Sequence, residues 1–445
     1  MMSPRVRVVL LGLIVPVLLV LGILGLRLVG DFFARAQVAS SQATALNIIQ
    51  KRQAEIGVLE WEKDPPNLPR SMEPRVRDDL TSDYRLAFEE LTYAMFSGDA
   101  TGIKTYFQSA ALHDVKLSTQ TKNTLFVDWD HQLQLHFYAP DGSTVAFTDT
   151  YLYAQGLKGK EGLSGVRIAR RVQDLVMKLD DGNWRIHLWE VTQDQEERLE
   201  AQLSQKQETL LKGLRGVVLN SAETFPDWPQ LNPRTLPEDL QKARDLGVNA
   251  VVVRVPYPLT LTVTQELGPA LDTAQKAGLK VVLSVLEGFD VNDLSLLPQI
   301  SRDLQGLQLS LSHPNVAAIV LSVQAGGHPD VLAHLLSLVR GLSKKAVGLH
   351  EAIPEESLSH AEWQWLKSPA SGTVLTVQEL SSTSALLKLS TADRQARDLE
   401  KQLKAAKNNP WLISSLYDEG RSGNGLYDAT GKLKPAGVVV QKLLK

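Results

Sequence analysis

The chain of 445 residues contains no cysteine. Without cysteine the protein forms neither disulfide bonds nor thiolate metal sites, which excludes the disulfide-stapled and thiolate-metal classes of protein. Its length is sufficient for two or three domains with sizeable hydrophobic cores.

An excess of positive charge is also absent. Lysine and arginine number 47 against 50 aspartates and glutamates, which gives a net charge of −3. No basic surface is therefore available to attract nucleic acid, and no nucleic-acid partner is predicted. No cofactor is predicted either.

One apolar run is long enough to matter for location. Residues 8–26 are nineteen apolar residues without a charge, and Arg5 and Arg7 precede them. Such a run spans a bilayer as a helix, and the positive-inside rule places the N-terminus in the cytoplasm. We therefore expect a single-pass anchor within 1–30 and an extracytoplasmic remainder. The alternative is a signal peptide cleaved after Ala34–Ala36.

The segment 31–73 is predicted to connect the anchor to the first domain. Residues 31–60 carry a weak helical stripe, typical of a stalk, a short coiled coil or a solvated spacer. A proline-rich run from Asp64 to Pro69 then indicates a linker.

Residues 74–192 have the pattern of an α+β domain. A helix over Val76–Phe96 is followed by strand patterns with turns at Asp141-Gly142 and Asp181-Gly182. Helices followed by a long antiparallel meander resemble the NTF2-like domains, which implies a cone that holds a small molecule or a dimerisation module. Residues 193–213 are predicted to form a connecting helix.

Several polar residues in this domain raise the question of a metal site. They are His113, Asp128, Asp130, His131 and His136. Polar residues on strands and turns are more often solvated than metal-bound, so no metal is predicted.

The stretch from Leu214 to Pro258 organises the rest of the chain. Gly216–Asn220 and Ala250–Val255 are apolar runs typical of buried strands, and Leu236 opens a helix that ends at Gly247. This strand–helix–strand unit requires a parallel sheet. Further strands are predicted to start near 280, 317, 346, 372 and 411, and 425–444 is expected to supply the eighth. The predicted fold of 214–445 is an α/β TIM barrel.

The amino-acid sequence of this stretch and of the segment that follows it resembles that of a known family. "RGVVLN", "LPEDLQKARDLGVNAVVVRVP" and "ALDTAQKAGLKVVLSV" look like the opening of the (β/α)8 glycoside hydrolase clan that includes β-galactosidases and cellulases. The resemblance implies two catalytic glutamates at the ends of strands four and seven. The matching strand-four stretch, His313–Gln324, ends in glutamine, and Ser415 stands at the position taken for strand seven. Since neither side chain can act as a carboxylate, the barrel is predicted to be catalytically degenerate.

Other polar and aromatic residues follow the predicted strands, and they are the candidates for glycan binding. Carboxylates accept hydrogen bonds from hydroxyl groups and aromatic rings stack on sugars; the alternative is that these are ordinary loop residues. Trp363 and Trp365 are assigned to the loop region after strand five. The candidates are Glu223, Asp227, Trp228, Tyr257, Glu287, Asp290, His350, Glu351, Glu379 and Glu419.

The combined prediction is a multidomain protein with an N-terminal transmembrane helix, an α+β NTF2-like domain and an α/β TIM barrel. Its predicted role is non-catalytic glycan binding, or scaffolding with protein partners in cell-envelope or polysaccharide assembly. One alternative is an active retaining glycoside hydrolase in which Glu287 pairs with Glu351, Glu379 or Glu419. The other is a structural module without a ligand.

Overall fold

The computed structural model of the chain describes 59–66, 68, 70–118, 122–160, 162–196, 203–290, 292–323, 328–350, 361, 363–366, 375–380, 392–406, 409–418 and 425–444. None of the helices in these ranges combines the length and the apolar character needed to cross a bilayer. The predicted anchor over 8–26 and most of the predicted stalk lie outside the described residues, as do Gln324, Glu351 and Glu419.

The contacts of the backbone divide the chain into two compact units. The first takes the residues up to Tyr153 together with Arg170–Asp194, and the second takes Ala154–Ala169 and the chain from Gln195 onward.

The described residues of the first unit contain one long helix, two short helices and most of a five-stranded sheet in the order β1-β2-β3-β4-β5; the adjoining ends of β3 and β4, within Ala154–Ala169, are assigned to the second unit. In chain order the elements are β1 (Glu60–Trp61), α1 (Pro74–Ser97), α2 (Ile103–Tyr106), α3 (Ser109–Ser118), β2 (Thr124–Tyr138), β3 (Thr144–Gly159), β4 (Gly162–Asp180) and β5 (Asn183–Gln195). Short turns connect β2 to β3, β3 to β4 and β4 to β5, which is typical of neighbouring antiparallel strands.

Helix α1 shows why the sequence folds as it does in this unit. Proline at its start loses no helical hydrogen bond, and Leu80, Tyr84, Phe88 and Leu91 recur at helical spacing and are buried. The helix ends at Gly98, whose φ of 74° suits glycine and whose N–H donates to the carbonyl of Ala94.

The second unit contains a closed barrel of eight strands, and every strand is parallel to its neighbours. Its strands one to eight are β6 (Arg215–Val218), β7 (Ala250–Pro256), β8 (Lys280–Phe289), β9 (Val316–Val323), β10 (Ala346–His350), β11 (Trp363–Leu366), β12 (Leu375–Leu380) and β13 (Trp411–Ile413). The prediction of a TIM barrel is confirmed.

Among the described residues, helices precede strand one and follow strands one to four, seven and eight. They are α4 (Gln205–Lys212), α5 (Leu236–Asp245), α6 (Leu261–Lys276), α7 (Leu297–Gly306), α8 (Gln308–Leu311), α9 (Pro329–Leu342), α10 (Ala392–Ala405) and α11 (Pro435–Leu444). Helix α4 is shorter than the predicted connecting helix of 193–213, because strand β5 continues to Gln195 and Ser204 caps the N-terminus of the helix through a hydrogen bond from the backbone N–H of Gln207.

The predicted numbering of the barrel strands is wrong from the sixth strand onward. Strand six is β11, in the stretch that the sequence assigned to a loop, so β12 is the seventh strand and β13 the eighth. The predicted eighth strand does not form in 425–444; there the chain makes bridges at Tyr427 and then helix α11. The physical reason is that Trp363 and Trp365 pack inside the barrel rather than in a loop.

Candidate functional site at the carboxyl end of the barrel

A layer of polar residues lies above the apolar core of the barrel. The interior core includes Val252, Val282, Val320, Ala346 and Trp363. Side chains alternate along a strand, so the same faces continue toward the carboxyl ends with Arg254, Ser284, Ser322, His350 and Trp365. The carboxyl end is where barrel active sites lie.

Three neighbouring strands are linked through this layer. The hydroxyl oxygens of Ser284 and Ser322 are 2.7 Å apart, and the Ser322 hydroxyl is 3.3 Å from Nδ1 of His350. The imidazole of His350 stacks on the indole of Trp365, with ring centroids 4.0 Å apart and planes 24° apart. The half-buried imidazole is thereby held in one orientation over a fully buried ring.

An ion pair completes the layer on its second and third strands. Nη1 of Arg254 lies 3.6 Å from Oε1 of Glu287. The indole N–H of Trp228 donates to the backbone carbonyl of Arg254 at 2.6 Å, which fixes the loop after strand one against strand two. Beside them, the ring of Tyr257 meets Phe289 edge-on at 5.5 Å.

Glu379, which the sequence analysis placed after a predicted strand, lies within strand seven of the barrel. Glu379 lies in β12 and its Cα pairs with that of Leu412 in β13. Leu412 belongs to the interior core, and Glu379 is two positions beyond Val377, which belongs to it as well. Glu379 is therefore a residue of strand seven of the barrel.

Ser415 does not lie in strand seven. It follows strand eight, is 1 % exposed, and its hydroxyl donates to the carbonyl of Tyr417 at 2.7 Å. Asn220 also contacts it, at 3.4 Å. Ser415 therefore supports the backbone after β13, and its assignment to strand seven is corrected.

The tryptophans predicted to stack on sugars are fully buried. Trp228, Trp363 and Trp365 are all 0 % exposed, and the latter two lie on strand β11 rather than in a loop. A ring without exposed surface offers no platform to a ligand, so these three candidates are corrected to core residues.

The acidic loop candidates are dispersed. Glu223, Asp227 and Asp290 are exposed, and Asp227 accepts a hydrogen bond from the hydroxyl of Thr262 at 3.1 Å. Of the candidate residues, the structure brings Glu287 and His350 into the polar layer with the half-buried Tyr257 beside them.

Sequence reasoning missed Arg254, Ser284 and Ser322. Arg254 and Ser322 are the single charged or hydroxyl-bearing residues of their strands, Ser284 interrupts the apolar run of its strand, and each of the three lies two positions beyond an interior valine. Period-two counting toward the end of each strand is the signal that identifies them.

A second polar cluster lies in the first unit and is fully buried. His131, 1 % exposed, lies 2.8 Å from Asp128 and 2.7 Å from Asp149. Tyr84 donates to Asp149 at 2.6 Å, and Gln173 donates to Tyr84 at 2.9 Å. The prediction that Asp128 and His131 are solvated is therefore wrong: they bond to each other inside the domain.

The protonation of this cluster follows from its contacts. Burial lowers the pKa of His131, but the two aspartates outweigh burial and raise that pKa to about 10. The protonated imidazole thus donates to both carboxylates, which is the arrangement of a structural ion network.

Glycoside hydrolases are among the solved structures that are similar to this chain. No protein-family model matches the chain. No curated protein matches it either.

Three of the similar solved structures illustrate the range. A GH5_18 protein from Streptomyces cattleya in complex with GlcNAc is 14% identical over 52% of this chain and 79% of its own, with a TM-score of 0.43. The exo-beta-1,4-mannosidase Op5Man5 from Opitutaceae bacterium strain TAV5 is 14% identical over 52% and 61%, with a TM-score of 0.41. A b-glucuronidase from Ruminococcus gnavus in complex with D-glucuronic acid is 12% identical over 72% and 68%, also at 0.41. The barrel assignment itself stands on the strand order of the chain.

Proposed function

We propose that the barrel binds a carbohydrate at its carboxyl end and does not hydrolyse it with the two-glutamate mechanism of the clan that its sequence resembles. The observation that carries the proposal is the polar layer formed by Arg254, Glu287, Ser322 and His350 above an apolar core. Hydroxyl groups of sugars both donate and accept hydrogen bonds, so a layer with fixed donors and acceptors matches them.

The absence of hydrolysis is inferred from Gln324. In the resemblance, this residue stands where the clan has its acid/base glutamate, directly after Val323 of strand four. An amide does not give up and retake a proton at neutral pH, and loss of general acid catalysis typically costs about 10²–10⁴-fold in rate.

The proposed setting remains the one that the sequence indicates. An anchor over 8–26 would hold the barrel outside the cytoplasmic membrane, where glycans of the envelope and proteins that assemble them are its partners. Within this setting the barrel acts as a binding or scaffolding component.

A second candidate function is retaining glycoside hydrolysis. The presence of Glu379 on strand seven favours it, because that strand supplies the nucleophile in the clan. The reaction also needs a proton donor about 5–5.5 Å from the nucleophile, and Glu287 is the described carboxylate of the polar layer that would have to serve.

A binding assay with two histidine variants tests the proposal. The purified full chain, in detergent, is applied to an oligosaccharide array as the natural protein, as His350→Ala and as His313→Ala. His350 ends strand five, whereas His313 precedes strand four at the opposite end of the barrel and pairs with Asp272. Binding lost only with His350→Ala supports a site at the carboxyl end; equal loss in both, or no binding by the natural protein, contradicts it.

A further inference from the structure

A buried carboxyl group lies at the corner between helices α1 and α2 of the first unit. Glu90 of α1 is 1 % exposed, and neither of its carboxyl oxygens has a hydrogen-bond partner in the part of the chain that the structure describes. Buried charges are normally paired and buried polar groups normally hydrogen-bonded, because an uncompensated charge away from water costs a large amount of free energy. The surroundings of Glu90 therefore suit the neutral, protonated carboxyl and not the carboxylate.

The chain that covers this carboxyl group is a short segment anchored at both ends. We define the corner segment as residues 98–106, which comprise the turn after α1 and helix α2. At its start the N–H of Gly98 donates to the carbonyl of Ala94 at 2.8 Å, and just beyond its end the N–H of Gln108 donates to the carbonyl of Ile186 at 2.9 Å. A displacement of the corner segment between these anchors leaves α1 and the sheet intact.

Gly102 closes the corner segment directly over Glu90. A Cβ atom on Gly102 would overlap the carboxyl oxygens of Glu90, so this close approach of backbone to side chain requires glycine. Gly102 is buried, and the next residue, Ile103, is fully buried. The carboxyl group is thus shut away from water by the backbone of the corner segment.

The charged groups at this corner do not favour a carboxylate at Glu90. Asp99 lies in the turn, and hydrogen bonds from the hydroxyl and the backbone N–H of Thr101 lower its pKa, so it carries a negative charge. Tyr106 of α2 is neutral, because burial and then the charge of Glu90 raise its pKa to about 12. The other acids that act on Tyr106 are Asp83 and Glu89 of α1. The lysines of this corner, both exposed, are Lys104 on α2 and Lys122 before β2.

The ionisation of Glu90 is therefore linked to the position of the corner segment. Burial, followed by the charge of Asp99, raises the pKa of Glu90 to about 7 from 4.5. If the corner segment moves away, the carboxyl group meets water and regains its ordinary pKa. A group whose pKa is higher in the closed form stabilises that form at low pH, and this stabilisation is lost as the pH rises from 4.5 through 7.

We propose that the corner segment is a pH-operated latch, which is closed over protonated Glu90 in mildly acidic surroundings and opens more readily when Glu90 ionises. The structure is the closed form. Opening moves residues 98–106 away from α1, hydrates the carboxylate and uncovers the apolar side chain of Ile103. The latch belongs to the first unit and does not depend on carbohydrate binding by the barrel.

The test measures hydrogen exchange of backbone amides in the full chain, in detergent, between pH 5 and pH 8. Exchange rates of the corner segment are divided by the intrinsic rates at the same pH, which gives a protection factor. The natural protein is compared with Glu90→Gln, which keeps the shape of the side chain and cannot ionise. Asp79→Asn is the matched control, because Asp79 lies on the same helix and its side chain is 65% exposed.

The expected result is a fall in the protection factor of the corner segment by up to about a hundredfold from pH 5 to pH 8, in the natural protein and in Asp79→Asn. This is the limit that linkage sets for one group whose pKa changes between about 7 and 4.5. In Glu90→Gln the protection factor should vary by less than about threefold. Gly102→Ala should have low protection already at pH 5, because the added methyl group keeps the latch from closing.

Urea distinguishes the opening of the latch from unfolding of the whole unit. A local opening exposes little surface, so urea below the unfolding midpoint should leave exchange of the corner segment nearly unchanged at pH 8 and accelerate exchange of strand β3. Thermal melting curves establish that all the variants are folded.

Three results would overturn the latch. The first is a protection factor of the corner segment that does not change with pH in the natural protein. The second is a fall in Glu90→Gln equal to that of the natural protein. The third is equal protection and equal urea dependence of the corner segment and β3, which would mean that Glu90 meets water only when the whole unit unfolds.

Discussion

Asn220 and Tyr417 are joined by two hydrogen bonds across the seam between the first and last strands of the barrel. The Asn220 amide donates to the carbonyl of Tyr417 at 3.0 Å, and the N–H of Tyr417 donates to the Asn220 side-chain oxygen at 2.8 Å. Asn220 is 4 % exposed. The pair fixes the chain after strand eight against the chain after strand one.

Asn220→Asp is predicted to destabilise the protein, because the carboxylate would lose the donated bond and face the carbonyl of Tyr417. The expected cost is about 2 kcal/mol of unfolding free energy, measured by urea denaturation with tryptophan fluorescence. Asn292→Asp, at an exposed position, is the control and should change stability by less than about 0.5 kcal/mol. Equal losses of unfolding free energy in the two variants would show that the hydrogen bonds between Asn220 and Tyr417 do not stabilise the protein more than an exposed residue does.

The cluster around His131 predicts a fall in stability at alkaline pH. The folded-state pKa is raised to about 10 from 6.5, so the stabilisation is complete below pH 6.5 and is lost as pH rises through about 10. His131→Gln should remove this pH dependence and leave two aspartates short of a counter-charge, at a cost of about 3–5 kcal/mol. The measurement is the denaturation midpoint between pH 6 and 10.

His136→Gln is the control for that experiment. Its imidazole is exposed and lies 2.6 Å from the hydroxyl of Thr148, so the alkaline fall of the natural protein should be retained. A natural protein whose midpoint is flat across this range would contradict the proposed protonation of His131.

Glu90 is a buried carboxyl group whose ionisation is predicted to destabilise the protein. It is 1 % exposed, and neither carboxylate oxygen has a hydrogen-bond partner among the described residues. Burial, followed by the charge of Asp99, raises its pKa to about 7 from 4.5. The folded state therefore favours the protonated form, and stability declines as pH rises from 4.5 through 7.

Glu90→Gln should stabilise the protein above pH 7 by on the order of 2 kcal/mol and have little effect near pH 4.5. Denaturation midpoints at the two pH values provide the measurement, and Glu60→Gln, on the exposed edge of β1, is the control. A destabilised Glu90→Gln variant at pH 8 would mean that the carboxylate has a partner it needs.

The barrel could be predicted from sequence because its strands are apolar runs and its helices have clear ends. Two features escaped. Strand β11 is four residues long and contains two tryptophans, a composition that equally suits an exposed aromatic loop. Only the packing of these tryptophans inside the barrel shows that the segment is a strand. Helix α6 starts at Leu261 and continues through Pro269, a residue type that a sequence pattern places in the first turn of a helix rather than inside it.

The site was less predictable than the fold, since residue type indicated the correct end of the barrel but not the face of each strand. Glu287 was a candidate, yet its contact with Arg254 depends on a bulge that is visible only in the pairing of β7 with β8. Ser415 was misassigned because an unrecognised strand shifted the numbering. Counting strands from sequence therefore needs every short strand to be found before residues are matched to a family.

The most direct test of the central claim is to measure binding and turnover on one preparation of the full chain, with the same oligosaccharides. The account predicts saturable binding with no release of reducing ends, and no change on Glu379→Gln in the amount released. Release of product by the natural protein that disappears in Glu379→Gln or Glu287→Gln, while both variants remain folded, would contradict it and identify the barrel as a working glycoside hydrolase.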